Sequence, residues 1–325
     1  MYNPLSLSAL GLPSRGEKFD TGATFVRSHI VSPYKLACLR ALIALYCWMT
    51  IIVAYSWLSY EYAPNTLRDV NIPTYTLILG KWFIAKSFSF FTFITYWSLA
   101  FYFTISLWHT FIYARNQAYL RTTTTSHLHD TFPRWLQLAH SLWYSTITTY
   151  PFLVSIVYWC TMYGGPWPSD SPFTQWINIS VHGLNSLFAI LEIVFSAVRP
   201  PPFISHLLVV LTGLSLYLGV AYITKAHQGI YVYEWMNPTW GAEGVAGHVF
   251  GYAAAMVGIY SLGWGATWTR EWLVARKRTS SGQVVADAGD VWQASELSSV
   301  SSSRKHSFGG KSASSKQIMV SVHEV

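Results

Sequence analysis

Six runs of mostly apolar residues mark the chain, near 36–58, 88–112, 136–162, 175–197, 204–224 and 246–269. Each is about 20 to 27 residues long, enough to cross the hydrocarbon core of a bilayer as a tilted helix. Helix is the required state, because a lone strand leaves its backbone groups unpaired in lipid. The pattern therefore predicts an all-α polytopic membrane protein with six transmembrane helices. Residues 1–35 are mixed and polar and lack the apolar core of a cleaved signal peptide. The chain after about 279 is rich in serine without apolar periodicity, which predicts a disordered tail. The expected organisation is an N-terminal segment (1–35), a six-helix transmembrane domain (36–269) and a basic, then Ser-rich tail (270–325).

Composition agrees. Only 11% of residues are charged, against about 25% in an ordinary soluble domain. Mean hydropathy is +0.29. Together these exclude a disordered chain and argue against a soluble enzyme. The net charge of +7 has two readings, a nucleic-acid partner or the positive-inside rule of membrane proteins. Its distribution favours the second. With the N-terminus in the cytosol, twelve Lys and Arg outside the spans fall on the cytosolic side and four on the other (Arg68, Lys81, Lys86, Lys225). Both termini are thus expected in the cytosol, with membrane lipids and no nucleic acid as partners. Endoplasmic reticulum and plasma membrane fit equally. Cys38, Cys47 and Cys160 are far apart, so neither a disulfide framework nor a cysteine-based zinc site is indicated.

Ionisable groups are expensive in hydrocarbon, so those inside the spans are candidates for function. Glu192 is the acidic residue well inside a span. Five histidines lie in or at the ends of spans: His109, His140, His182, His206 and His248. His182 is interior. Asn178 and Asn185, four before and three after it, share its face on a regular helix. An amide there could hold the imidazole in the tautomer a general base requires. The same polar face serves equally as interhelical hydrogen-bond glue. Glu192, ten residues beyond His182, is about 15 Å further along the helix. Protonation, or pairing with Arg199, is expected for it, with a structural or substrate-positioning role. Thr92, near the start of the second span, reaches the depth of His182 if the two spans are neighbours. A hydroxyl beside a histidine is a nucleophile–base pair, although threonine in a membrane helix normally bonds its own carbonyls.

Three stretches resemble the androgen-induced integral membrane protein family, six-span hydrolases of fatty acid esters of hydroxy fatty acids. Phe90-Phe91-Thr92-Phe93-Ile94 looks like the family's start of span two, and its nucleophilic threonine falls on Thr92. Trp176-Ile177-Asn178, then His182 and Glu192, keeps the family's order and spacing, and its catalytic histidine falls on His182. Gly229-Ile230-Tyr231-Val232-Tyr233 is similar to a motif after span five. The chain departs where the family often has a second histidine, here Ile179, and where Glu234 replaces a proline. The resemblance implies a threonine hydrolase of lipid esters: Thr92 the nucleophile, His182 the base, and no metal or organic cofactor. Asn178, Asn185 and Glu192 would orient or bind substrate. An oxyanion hole is needed, and Tyr96 and Asn185 are candidate donors.

Two other classes compete. Paired histidines could hold two haems, His182 with His248 on one side and two of His109, His140 and His206 on the other. A non-catalytic receptor or transporter also fits six spans, although the sequence shows no inverted repeat. Gly251, Gly258 and Gly263 in the last span read as sites of close helix packing.

Overall fold

The computed structural model describes residues 9–11, 19–20, 22–61, 84, 86–120, 132–163 and 172–280. Residues 1–277 form one compact unit. Of the second unit, 278–325, only the turn 278–280 is described, so the Ser-rich tail lies outside the described residues. So do Arg68 and Lys81.

The described residues are helical or irregular, with no strand among them. Helix α1 spans Pro33–Glu61 and α2 spans Phe91–Leu120. Next come α3, Arg134–Ile147, and α4, Tyr150–Val157, which runs into a π-helical turn at Tyr158–Met162. Helix α5, Pro172–Ile179, leads through a second π turn, Ser180–Leu184, into α6, Asn185–Phe195. Helix α7 is Phe203–Gln228 and α8 is Ala242–Ser280.

Four of these rods are long and apolar enough to cross a membrane: α1, the α5–α6 rod, α7 and α8. The protein is therefore a membrane protein. Many large apolar side chains face outward, among them Leu42, Leu45, Leu216, Phe250 and Leu262, as a lipid-facing surface requires. The other two expected spans depart from long aliphatic rods for visible reasons. Helix α2 is as long as the others but mixes Tyr, Trp, Ser and Thr into its apolar surface. The third expected span is broken at Thr148–Thr149. Pro151 supplies no N–H to the carbonyl of Ile147 and its ring crowds that turn. Thr148 and Thr149 there turn their hydroxyls to the carbonyls of Tyr144 and Ser145.

Two cores hold the bundle. One joins α1, α2, α3 and the α5–α6 rod through Cys47, Tyr96, Leu99, Phe103, Tyr144, Val181 and Phe188. The other joins the first turn of α2 to α4, α7 and α8 through Phe91, Leu153, Val154, Val210 and Met256. Thr92 stands where they meet.

Part of the expected polar N-terminal segment belongs to this fold. Phe25 and Val26 are buried, and Phe25 packs edge-on against His140 and Tyr144. The amide of Ala197 donates to the carbonyl of Arg27. Asp20 accepts from the amide and hydroxyl of Thr24, at 2.8 and 2.9 Å. Burial raises its pKa, against those hydrogen bonds. Helix α8 runs on through the basic residues to Ser280.

Among the glycines of α8, only Gly263 makes the expected close approach. A Cβ there would lie 3.3 Å from the carbonyl oxygen of Thr148, whereas Gly251 and Gly258 have nothing within 4 Å.

Candidate functional site

Thr92 is the second residue of α2. At that position a hydroxyl has no regular helical carbonyl four residues back to bond. Other threonines of the bundle do bond back: Thr95 to the Thr92 carbonyl, Thr104 to Ala100, Thr224 to Val220. Thr92 Oγ1 instead lies 3.4 Å from His182 Nε2. That is longer than a settled O–H···N hydrogen bond.

The segments that present the histidine are unusual. His182 sits in the π turn Ser180–Leu184, and Tyr158 opens the π turn Tyr158–Met162. Such bulges are rare and recur at functional sites. The two rings stack face to face, with centroids 3.6 Å apart and planes 5° from parallel. Widening a helix displaces carbonyls from its ladder, and the carbonyl of His182 accepts the indole N–H of Trp159 at 2.8 Å. The Tyr158–Trp159 pair thus holds both the ring and the carbonyl of His182.

The expected amide partners of the imidazole are placed differently. The Asn178 contact to His182 comes through its backbone carbonyl. His182 Nδ1 is buried and makes no hydrogen bond of ordinary geometry, so this contact is a loose one. Asn185 turns away to α4: its amide donates to the Pro151 carbonyl at 3.4 Å, and its oxygen accepts from Ser155 at 3.1 Å. The π turn Ser180–Leu184 takes more residues per turn than an α-helix, so the face assumed for a regular helix is not kept. Neither Asn185 nor Tyr96 lines the cavity described below.

Glu192 is also corrected. Its partner is Arg40 of α1, not Arg199. Arg40 Nε donates to Glu192 Oε2 at 3.1 Å, with a second bond from its terminal nitrogen to Oε1. Tyr102 donates to the same carboxylate at 3.1 Å. Arg40 further donates to the Phe25 carbonyl at 2.9 Å and to Thr110. Both charged side chains are 1% exposed. Tyr102 and Thr110 are ten and eighteen residues along α2 from Thr92, about 15 and 27 Å, so this pair braces the bundle away from Thr92. An ionisable Arg40 inside the first apolar run was the available signal for it.

Beside Thr92 opens a cavity of about 310 Å³. Its walls are mostly apolar: Leu153 and Val157 of α4, Leu214 and Leu218 of α7, Val249 and Ala253 of α8. The polar groups on it are few. They include Thr92, Tyr158, Tyr217, and Tyr233 from the segment between α7 and α8. An apolar chamber with a few convergent polar groups is the usual form of a small-molecule site. His182 is not on the chamber wall, but Thr92 and Tyr158, which both contact it, are. Tyr158, Tyr217 and Tyr233 were not singled out from sequence, where aromatic residues are too frequent to mark a site.

The remaining histidines have partners of their own. His206 lies 2.7 Å from the Ser145 hydroxyl and 3.2 Å from the Leu10 carbonyl. His248 bonds the Gly244 carbonyl at 2.8 Å and stacks on Trp235. His140 stacks on Tyr102, with His109 edge-on to it at 6.0 Å between centroids.

Comparison of the chain with protein-family models, curated proteins and solved structures finds no match.

Proposed function

We propose that the protein is an intramembrane hydrolase of lipid esters, with Thr92 as nucleophile and His182 as base. The observation that carries the reading is the Thr92 hydroxyl, on the wall of an apolar chamber and directed at His182 Nε2. The resemblance of the Thr92, His182 and Tyr233 stretches to hydrolases of fatty acid esters of hydroxy fatty acids points the same way. The proposed topology is six spans with both termini in the cytosol, on the strength of the Lys and Arg asymmetry. Helix α2 and the α3–α4 pair would supply the two spans beyond the four long apolar rods.

In the proposed mechanism the acyl chain of the ester fills the chamber and brings its carbonyl carbon to Thr92. A proton on His182 Nδ1, facing the Asn178 carbonyl, leaves Nε2 free to accept. Thr92 Oγ attacks the carbonyl carbon and its proton passes to Nε2. Collapse of the tetrahedral intermediate expels the alcohol, which takes that proton. Water then attacks the acyl-threonine by the same route, releasing the fatty acid and restoring Thr92.

The test is turnover of acyl esters, fatty acid esters of hydroxy fatty acids among them, by purified protein in mild detergent. Thr92→Ala and His182→Ala are expected to lower kcat by about 10³-fold or more. Thr95→Ala, whose hydroxyl only bonds the Thr92 carbonyl, is expected to keep it. Near-wild-type turnover in a folded Thr92→Ala protein contradicts the mechanism.

A further inference from the structure

The mechanism requires a donor for the negative oxygen of the tetrahedral intermediate. The stretch joining α7 to α8 folds back over the start of α2: Tyr233 packs edge-on against Phe90, ring centroids 6.3 Å apart. Below it, Tyr217 of α7 donates its hydroxyl proton to the carbonyl of Ser89 at 3.0 Å. Tyr217 also packs against Phe91, centroids 4.8 Å apart. Ser89 is further fixed by Thr224, whose hydroxyl lies 2.9 Å from its own. The hydroxyls of Tyr217 and Tyr233 lie within reach of each other, and the amide of Phe91 faces both oxygens. Thr92 is the next residue, and Thr92, Tyr217 and Tyr233 all line the same chamber.

We propose that Tyr233 donates the hydrogen bond that stabilises the oxyanion formed at Thr92, with Tyr217 as the residue that positions it. This rests on the hydrolase reading above. Tyr217 spends its proton on Ser89, so in the resting pair Tyr233 is the donor. When Thr92 Oγ bonds to the carbonyl carbon, the carbonyl electron pair moves onto oxygen, and the Tyr233 hydroxyl turns from a neutral oxygen to a charged one. The proton stays on Tyr233. A charge-assisted bond is about twice as strong as the neutral one it replaces, and it exists only once charge has developed. That is the differential binding that lowers a barrier. As the carbonyl re-forms, the hydroxyl returns to Tyr217.

The experiment compares wild type with Tyr233→Phe, Tyr217→Phe and Tyr231→Phe. It follows hydrolysis of p-nitrophenyl octanoate and the rate of labelling by a fluorophosphonate, which also develops charge on an oxygen. Tyr233→Phe keeps the ring and its packing. It is expected to lower kcat about 10²–10³-fold at unchanged KM, and to slow labelling in parallel. Tyr217→Phe is expected to lower kcat by a smaller factor, also at unchanged KM, and it carries the test if Tyr233→Phe fails to fold. Tyr231, two residues away and lying under the Lys225 ammonium, is the control whose change leaves both rates as they are. Unchanged kcat in folded Tyr233→Phe, with Thr92 still labelled, overturns the assignment of Tyr233 and leaves the hydrolase standing. No labelling of Thr92 in wild type overturns the hydrolase reading and this one with it.

Discussion

Tyr158 and His182 stack 3.6 Å apart, each within its own π-helical turn. The stack fixes the plane of the imidazole where the hydrogen bond at Nδ1 is loose. Tyr158→Leu is therefore expected to lower kcat by about tenfold or more, since a misplaced base forfeits part of its orientation advantage. Tyr158→Phe keeps the ring and is expected to retain activity. Steady-state kinetics on the two variants, side by side, checks this. Equal losses in both would assign Tyr158 a role through its hydroxyl.

The Arg40–Glu192 pair makes a prediction about stability. Removing one member of a buried pair leaves the other charge unmet, typically at about 3–5 kcal/mol. Arg40→Met and Glu192→Gln are each expected to destabilise by that order in a denaturant titration in detergent. The double change Arg40→Met with Glu192→Leu is expected to recover much of the loss. Turnover per folded molecule should hold in all three, because the α2 residues that meet the pair, Tyr102 and Thr110, are about 15 and 27 Å along the helix from Thr92.

The chamber wall predicts chain-length selectivity. Leu214→Trp narrows it on the α7 side. Excluding two methylenes of an acyl chain forfeits about 1.6 kcal/mol, or about 15-fold in binding. The variant is expected to raise KM for long acyl esters by that order and to spare short ones. An assay over a series of p-nitrophenyl esters reads the shift directly.

Close packing at Gly263 is separable from mere flexibility of α8. Gly263→Leu would drive a side chain into the Thr148 carbonyl at the α3–α4 break. The expected loss is about 1–3 kcal/mol, typical of overpacking. Gly258→Ala meets open space and is expected to gain about 0.5–1 kcal/mol from helix propensity. Thermal unfolding in detergent distinguishes the two.

The apolar runs made the helices legible, because hydrophobic length is a strong and local signal. Their interruptions were harder to read. Pro151 marked the break in the third run, but nothing in Ser180–Leu184 or Tyr158–Met162 announces a π turn, which depends on packing between the two segments. For the same reason the 3.6-residue spacing of Asn178, His182 and Asn185 was a poor guide to their partners. His182 was legible as an ionisable group inside a span, whereas Thr92 was singled out by the family resemblance and its matching depth, since one threonine among many is not distinctive. Arg40 was hidden by a count of charges outside the spans. Phe25 was hidden because a polar segment gives no periodic sign that one of its side chains enters the core.

The central claim is that His182 activates the hydroxyl of Thr92. It is tested most directly by treating detergent-purified protein with a fluorophosphonate and mapping the modified residue by mass spectrometry. The account predicts phosphonylation at Thr92 in wild type, none in Thr92→Ala, and loss in folded His182→Ala. A folded wild-type protein left unlabelled, or labelled equally after His182→Ala, would contradict it.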